Sequence, residues 1–496
     1  MSAAAEGPVW IGIDLGTQSV RAMAVSDTGA AIGAGAAPLS SWRDGVRHEQ
    51  KPEDWWAAVG QACRQALAGI EAGRTVGGVA VCGTSGTVLL TDAAGEALTP
   101  GLMYDDARAT AEAELVNERG GDLWQRLGYG RIQTVWGLPK LLWLLANKSP
   151  AKGARLAHQA DYVTGKLAGG PLHSDLSNAL KTGCDTIGEG WDMALMGRLG
   201  VPDGLLPGLV RPGARIGVVG AAGCEHTGIP AGTPIVAGMT DGCASQIGSG
   251  ATDVGSWNSV IGTTLVLKGT SDRLVRDPNG VVYSHRSPDG HWLPGGASSS
   301  GAGALARALP GADLAALGAA AERHGPSRRI AYPLAIEKGE RFPFIAPEAR
   351  PFVLGEAGSD PLATYLALTQ GIAAIERLCF DYLDCLGFPT AGRISLTGGT
   401  VKNHQWNRVR ATMLGRELVV PRVAEPAFGM AVLASGIERS LTDSVAAMVQ
   451  VDRVYEPETA NKAMMDELYL SLVEALEDRG WLPSETAAHA RSRAGR

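Results

Sequence analysis

One hairpin occurs twice in this chain, once in each half, and any fold the chain adopts must house both copies. The stretch Pro8–Ala24, PVWIGIDLGTQSVRAMA, reads as a short apolar strand at Val9–Ile13, a tight turn at Leu15–Ser19 and a returning strand at Val20–Val25. Trp257–Lys268, WNSVIGTTLVLK, repeats the form: strand, Gly-Thr-Thr turn, strand. Gly16 and Gly262 lie 246 residues apart, about half of the 496-residue chain. Small residues let a backbone approach a ligand closely, and turn N–H groups with neighbouring hydroxyls can cradle phosphate. Alone, either copy is compatible with an ordinary hairpin that has a polar turn. Together they predict two facing phosphate clamps, one per half. The copies differ in charge: Asp14 ends the first strand, whereas Val260 stands at that place in the second. Mg²⁺ commonly bridges a carboxylate to phosphate oxygens, so this asymmetry fits a single metal site between two clamps.

Length agrees with duplication, since 496 residues exceed one ordinary domain and suggest two of roughly 250 residues. The expected division is 1–248 and 249–496. A net charge of −7, with no basic patch interleaved with aromatics, argues against a nucleic-acid partner. The seven cysteines never fall as CxxC, which points to reduced thiols in a cytoplasm rather than a disulfide frame or zinc site. No basic stretch precedes the first apolar run and no run reaches 18 uncharged apolar residues, so neither a signal peptide nor a membrane partner is expected. The basic end, Ala487–Arg496, is predicted to fray.

Along the chain, Ser26–Gly29 makes a second hairpin turn, and Pro52–Ala72 reads as a helix with Trp56, Val59, Cys63, Leu67 and Ile70 on its apolar stripe. Val76–Cys82 is a buried strand that opens into Gly83-Thr84-Ser85-Gly86-Thr87, a bulged strand or a ligand loop. Met103–Asp106 and Arg108 could line a cleft or begin a solvated helix. Leu138–Leu145 and Ala157–Leu167 look helical, and His173–Asp185 reads as a loop plus helix of uncertain role. Ile235–Gly238 is a strand and Ala244–Gly250 a helix. Asp241 therefore sits at a strand-to-helix junction, as an N-cap or as a carboxylate aimed into a cleft.

In the second half, Gly295–Gly301 reads as a small-residue loop, Leu362–Leu386 as a long helix, and Arg393–Thr397 as a strand entering the Gly-rich loop Gly398–Asn403. A helix follows from His404, and a strand, GGTxxN and helix can place a nucleotide at the helix N-terminus. Each half is thus a meander followed by alternating helices and strands. This predicts an α/β fold of two actin-like (ribonuclease H-like) domains with a cleft between them.

These residues resemble the FGGY family of carbohydrate kinases over nearly the whole length. The likeness rests on IGIDLGTQSVRAMAV at 11–25, TDGCASQIGSG at 240–250, SVIGTTLVLK at 259–268, SLTGGTVKN at 395–403 and EPAFGMAVLA at 425–434. Within the family, VCGTSGTVLLTDAAGEAL at 81–98, NALKTG at 178–183, VYSHRSPDGHWLPGGAS at 282–298 and GERFP at 339–343 resemble the D-ribulose kinase subgroup. Xylulokinases usually carry a Met-His pair where this chain has Thr84-Ser85.

The resemblance implies phosphorylation of a sugar or polyol hydroxyl with ATP and Mg²⁺. It carries the general base onto Asp241 and the Mg²⁺ ligand onto Asp14, both also near the sugar, with Ser85 orienting a ketose. Gly16, Thr17 and Gln18 would face the phosphates from one domain, and Gly262, Thr263 and Thr264 from the other. Gly398, Gly399 and Asn403 would hold the nucleotide, with Gly296 and Ser298 lining it. The expected state is monomer or homodimer. Three departures stand out: Gln18 widens the first turn, Arg21 replaces a common lysine, and Thr400 replaces a frequent glycine, which would strain the chain if φ were positive there. Rival readings are a kinase for D-xylulose, L-ribulose or a glycerol-like polyol, and an actin- or chaperone-like ATPase. The ATPase reading would leave Asp241 and the 83–87 loop without a role.

Overall fold

The computed structural model describes residues 7–71, 73–149, 151–355 and 360–494. The chain forms two compact units. The first comprises residues 1–250, 285–293 and 423–450, and the second 251–284, 294–422 and 451–496. A single cut was expected, but two later stretches return to the first unit.

The first unit is built on a six-stranded sheet ordered Arg215–Val218, Pro234–Val236, Val76–Gly83, Val9–Leu15, Ser19–Ser26, Ala31–Pro38. The last three strands form the antiparallel meander, and Val76–Gly83 runs parallel to Val9–Leu15. Both faces are covered. Val9, Ile11 and Ile13 join the core that contains Trp55 and Val59, whereas Trp10 joins the core with Met239, Ala427 and Ala431. Side chains alternate along a strand, so Asp14 shares the face of Trp10 and Gly12.

Helix Pro426–Ser435 lies against that face. A Cβ on Gly12 would come within 1.7 Å of the Ala427 carbonyl, and one on Gly429 within 1.9 Å of the Ala244 carbonyl. Glycine at both places lets this helix seat against the strand and against helix Asp241–Gly248. On the other face, the helix begun by Pro52 ends at Leu67, short of the expected 72, a residue outside the described set. Its buried stripe contains Trp55 rather than Trp56, whose ring stacks on His226 with centroids 4.2 Å apart. The predicted helix over 157–167 begins at Gln159, because Arg155–His158 is a strand paired with Val88–Thr91.

The second unit repeats the meander. Its strands run Leu265–Gly269, Trp257–Ile261, Ile394–Thr397, Leu418–Pro421, Val451–Tyr455, and residues 295–297 pair on the outer side of the first of these. Part of the predicted small-residue loop is therefore strand. Helix Pro361–Cys385 crosses the core, capped by Asp360, whose carboxylate accepts the Ala363 N–H at 2.9 Å. From it Glu376 reaches Arg410 in a bidentate, fully buried ion pair at 2.7 and 2.8 Å, and Arg410 also donates to Ser259 Oγ at 2.9 Å. That cluster ties the second hairpin to two helices.

The basic end does not fray over its described part. Residues Ser484–Ala494 form a helix with Ala487 and Ala490 buried, and Arg493 bonds Asp381 at 2.9 Å and Asp384 at 2.5 Å on the long helix. Local composition signalled solvation, but tertiary carboxylates supplied partners. Among the described residues, no helix is long and apolar enough to cross a membrane.

Candidate active site

In the first unit the carboxyl ends of three neighbouring strands converge. Asp14 and Cys82 are register partners on parallel strands, and the ladder continues through an isolated bridge from Gly83 to Thr240. Open α/β sheets bind ligands at such strand ends. Thr240 is the N-cap of helix Asp241–Gly248, so Asp241 is the first helical residue rather than the cap. Its carboxylate accepts the Gly242 N–H at 2.7 Å.

Asp14 is 6% exposed, and Cys82 Sγ donates to its Oδ1 at 3.4 Å. Burial, followed by the charge of Asp241, pushes the Asp14 carboxyl up to about 7, with the Cys82 thiol and Arg21 opposing. Cys82, fully buried between the same two carboxylates, is raised well above an ordinary thiol by burial and then by their charges. A buried acid raised by a second acid beside it is a feature that clusters at functional sites.

Around them, the Thr17 carbonyl accepts Gln50 Nε2 at 2.7 Å, and the Gln18 carbonyl accepts the Leu39 N–H at 2.8 Å. Strand residues Leu15 and Val20 close the first turn over four residues, whereas Ile261 and Leu265 close the second over three, so Gln18 does lengthen the first turn. In the 83–87 loop, Thr84 gives both its N–H and hydroxyl to Gln159 Oε1, at 3.0 and 2.8 Å. Ser85 Oγ is buried with no hydrogen-bond partner. Nearby, Asp106 is buried on Arg108. Asp105 is held below the ordinary carboxylate range by His48 and Arg43, which outweigh the opposing effect of burial. Burial, with Asp105 and Asp241 adding charge, raises the Tyr104 phenol, so Tyr104 lies within the field of Asp241.

In the second unit, Gly262 and Thr263 are exposed and Thr264 is half-buried. The segment behind this turn is knit to it: Ala302 N donates to the Gly262 carbonyl at 3.1 Å and Gly303 N to the Thr263 carbonyl at 3.0 Å. A Cβ on Gly301 would sit 2.6 Å from Thr263 O, so only glycine allows the approach. Ser298 is buried, and its hydroxyl donates to Glu340 at 3.1 Å. Glu340 also accepts from Ser299 N at 2.5 Å, Ser300 Oγ at 2.9 Å and Tyr332 OH at 3.1 Å. Burial nevertheless raises its carboxyl, against the pull of these donors. Ser298 thus serves the scaffold that supports the turn. Gly296 is a buried strand residue on which a Cβ would meet the Phe342 ring at 2.7 Å. Neither was legible as scaffold without Glu340, which lies 42 residues from Ser298.

Gly399 and Asn403 line a cavity of about 390 Å³, walled by Ala302, Leu305, Leu314 and Tyr365. Asn403 caps helix His404–Leu414 by accepting the Trp406 N–H at 3.0 Å, and it donates to Tyr365 OH at 2.6 Å. Gly398 takes the left-handed φ of +88°, while Thr400 falls in the 3-10 turn Gly399–Lys402 and is not among the residues with positive φ.

A meander-and-crossover fold made twice, with paired acids at the strand ends of one copy, defines a phosphoryl-transfer class of enzyme. The chain belongs to the FGGY family of carbohydrate kinases, whose N-terminal domain matches residues 9–248 and whose C-terminal domain matches 257–436. Xylulose kinase from Streptomyces coelicolor is 30% identical over 462 residues, covering 90% of this chain and 91% of that protein. Xylulose kinase from Streptomyces rubiginosus is 29% identical, over 88% and 89%. The crystal structure of xylulose kinase from Rhodospirillum rubrum shares the fold, with a TM-score of 0.83 at 23% identity over 95% of this chain and 99% of that one. The protein is therefore a sugar kinase acting on a small-molecule substrate.

Proposed function

We propose that this kinase phosphorylates a ketopentose with ATP and Mg²⁺, D-ribulose in preference to other sugars, with Asp241 as general base. The observation that supports this reading best is Asp14, a buried carboxylate at a strand end whose carboxyl is raised by burial and by the charge of Asp241, which opens a helix at the end of the neighbouring strand. Asp241, at the start of a helix, accepts the proton of the attacking sugar hydroxyl. Asp14 accepts from the Cys82 thiol, a weak donor, so its charge is left for a cation. Mg²⁺ keeps several waters and needs only one or two carboxylates, a demand that Asp14 can meet. When bound, that ion would draw charge from the transferring phosphoryl group. Gly16, Thr17 and Gln18 form the phosphate turn of the first unit, closed by Gly16 N on the Ser19 carbonyl, and Gly262, Thr263 and Thr264 form that of the second, closed by Gly262 N on the Thr264 carbonyl. The 390 Å³ cavity, apolar with a few polar groups, suits the nucleotide's base, with Gly398, Gly399 and Asn403 at its edge.

Ribulose is favoured by Thr84-Ser85 in place of a Met-His pair: Thr84 is committed to Gln159, which leaves Ser85 as the loop's free hydroxyl. D-Xylulose is the second reading, favoured by the relatives that bear that name. The deciding experiment is ADP release with Mg-ATP across D-ribulose, D-xylulose, L-ribulose, glycerol and no sugar. Selective turnover of D-ribulose is expected. Preference for another sugar moves the substrate and keeps the mechanism, whereas sugar-independent hydrolysis or silence across the panel sinks the reading.

A further inference from the structure

Helix Asp241–Gly248 begins without a cap from the Thr240 side chain. The peptide entering its N-cap is held by a residue from elsewhere in the first unit. Thr240 N donates to Ser177 Oγ at 3.2 Å, and Thr240 Oγ1 lies 3.3 Å from the same oxygen. Ser177 Oγ is also 3.0 Å from His285 Nδ1. All three residues are buried, none more than 1% exposed. Ser177 sits in the short helix Leu176–Ala179, which Asp175 pins by accepting Asn178 N and Nδ2, each at 2.7 Å. His285 opens the stretch 285–293, and its neighbour Arg286 is fixed by Glu189 at 3.0 Å and by the Trp292 ring, 4.1 Å away. Two segments without a reacting group thus converge on the residue before the base.

We propose that Ser177 and His285 are positioning residues for Asp241, an inference that rests on reading Asp241 as the general base. A hydroxyl has one proton and two lone pairs. Ser177 Oγ accepts the Thr240 N–H and gives its proton to only one of its two other neighbours, so the Met239–Thr240 peptide, which leads into Asp241, is held in one orientation. Asp241 is the next residue beyond Thr240, so a shift of that peptide moves its carboxylate, and a misplacement of about 1 Å at a reacting group can cost on the order of 100-fold in rate.

The test combines hydrogen exchange with steady-state kinetics on the full chain, using the preferred sugar of the panel. For Ser177→Ala, kcat is expected to fall about 10- to 100-fold with both KM values within about twofold of wild type. Exchange should quicken over 238–243 while strand Val9–Leu15 stays protected. His285→Asn, which keeps a polar atom near the Nδ1 position, should show a weaker form of the same signature, and Ser177→Thr should recover most of the lost kcat. If wild type turns over sugar while Ser177→Ala keeps full kcat or unchanged exchange at 238–243, the positioning role is wrong and the kinase reading stands. Exchange that rises uniformly across the first unit in both Ser177→Ala and His285→Asn would show general loosening and also overturn it. A wild type that phosphorylates no sugar removes the base and its positioning residues together.

Discussion

The two halves share a hairpin, and the buried acids beside the two turns are held differently. Behind the second turn, Glu376 is paired bidentately with Arg410, and Glu340 is surrounded by hydroxyls and amides. Beside the first turn, Asp14 has a weak thiol donor and a like-charged neighbour. Satisfied charge is architecture, and it lets the second turn stay rigid. Unsatisfied charge stores a cost that a ligand can relieve, which is how a stable scaffold comes to carry a reactive site.

The sharpest way to break this comparison is to neutralise the acids of the first unit. Asp241→Asn is expected to lower kcat by roughly 10²–10⁴-fold, the usual worth of a general base, with the fold intact and the cavity near Asn403 still able to bind nucleotide. ADP titration by calorimetry alongside initial rates would check both halves of that expectation. Near-wild-type turnover in Asp241→Asn would remove it as the base.

In the second unit the same kind of change should act on stability. Glu376→Ala leaves Arg410 buried and unpaired, which typically costs about 3–5 kcal/mol. A thermal melt shifted down strongly, with residual activity at low temperature falling only in proportion to the folded fraction, is the expected result. If instead kcat collapses while the melt is unchanged, the division of labour between the halves is wrong.

Much of this contrast was open to sequence reasoning, and the rest was hidden for a physical reason. The repeated hairpin, the strand ending in Asp14 and the helix beginning at Asp241 are local patterns, and periodicity exposes them. Partners are not local. Ser177 and His285 lie 108 residues apart, and Ser298 finds Glu340 across 42, so their joint role exists only after the chain has packed. The basic tail failed for the same reason: Arg493 looks solvated until Asp381 and Asp384 are brought beneath it. The one-residue rotation of the helix begun by Pro52 arose because the bulkier burial site went to Trp55, whose indole donates to Gln50 at 2.6 Å.

A smaller effect follows from the raised Asp14. Burial and the charge of Asp241 push its carboxyl up to about 7, from about 4 for an ordinary aspartate. Between those values the folded state holds a proton that the unfolded chain has released, so this group's contribution to stability declines as pH rises from about 4 to about 7. Asn at this position has no such decline. In metal-free protein, Asp14→Asn should therefore gain stability over wild type by about 1–3 kcal/mol between pH 4 and pH 8, while losing activity. A constant difference across that range would show that Asp14 is not destabilised by its surroundings.

The smallest expected effect is at Gln18, and it isolates what the longer turn does. The side chain is exposed, and the residue's backbone carbonyl accepts the Leu39 N–H. Replacing it by alanine keeps that carbonyl, the turn length and the neighbouring Thr17 hydroxyl. Gln18→Ala should therefore leave the KM for ATP within about twofold, since exposed substitutions away from special features usually change little. Deleting residue 18 should do more, because it forces the four-residue turn to three and displaces both Thr17, whose carbonyl holds Gln50, and the carbonyl that holds Leu39. If Gln18→Ala instead raises the KM for ATP as much as the deletion, the amide side chain itself meets the nucleotide, and the first turn recognises its ligand through a group that the second turn lacks.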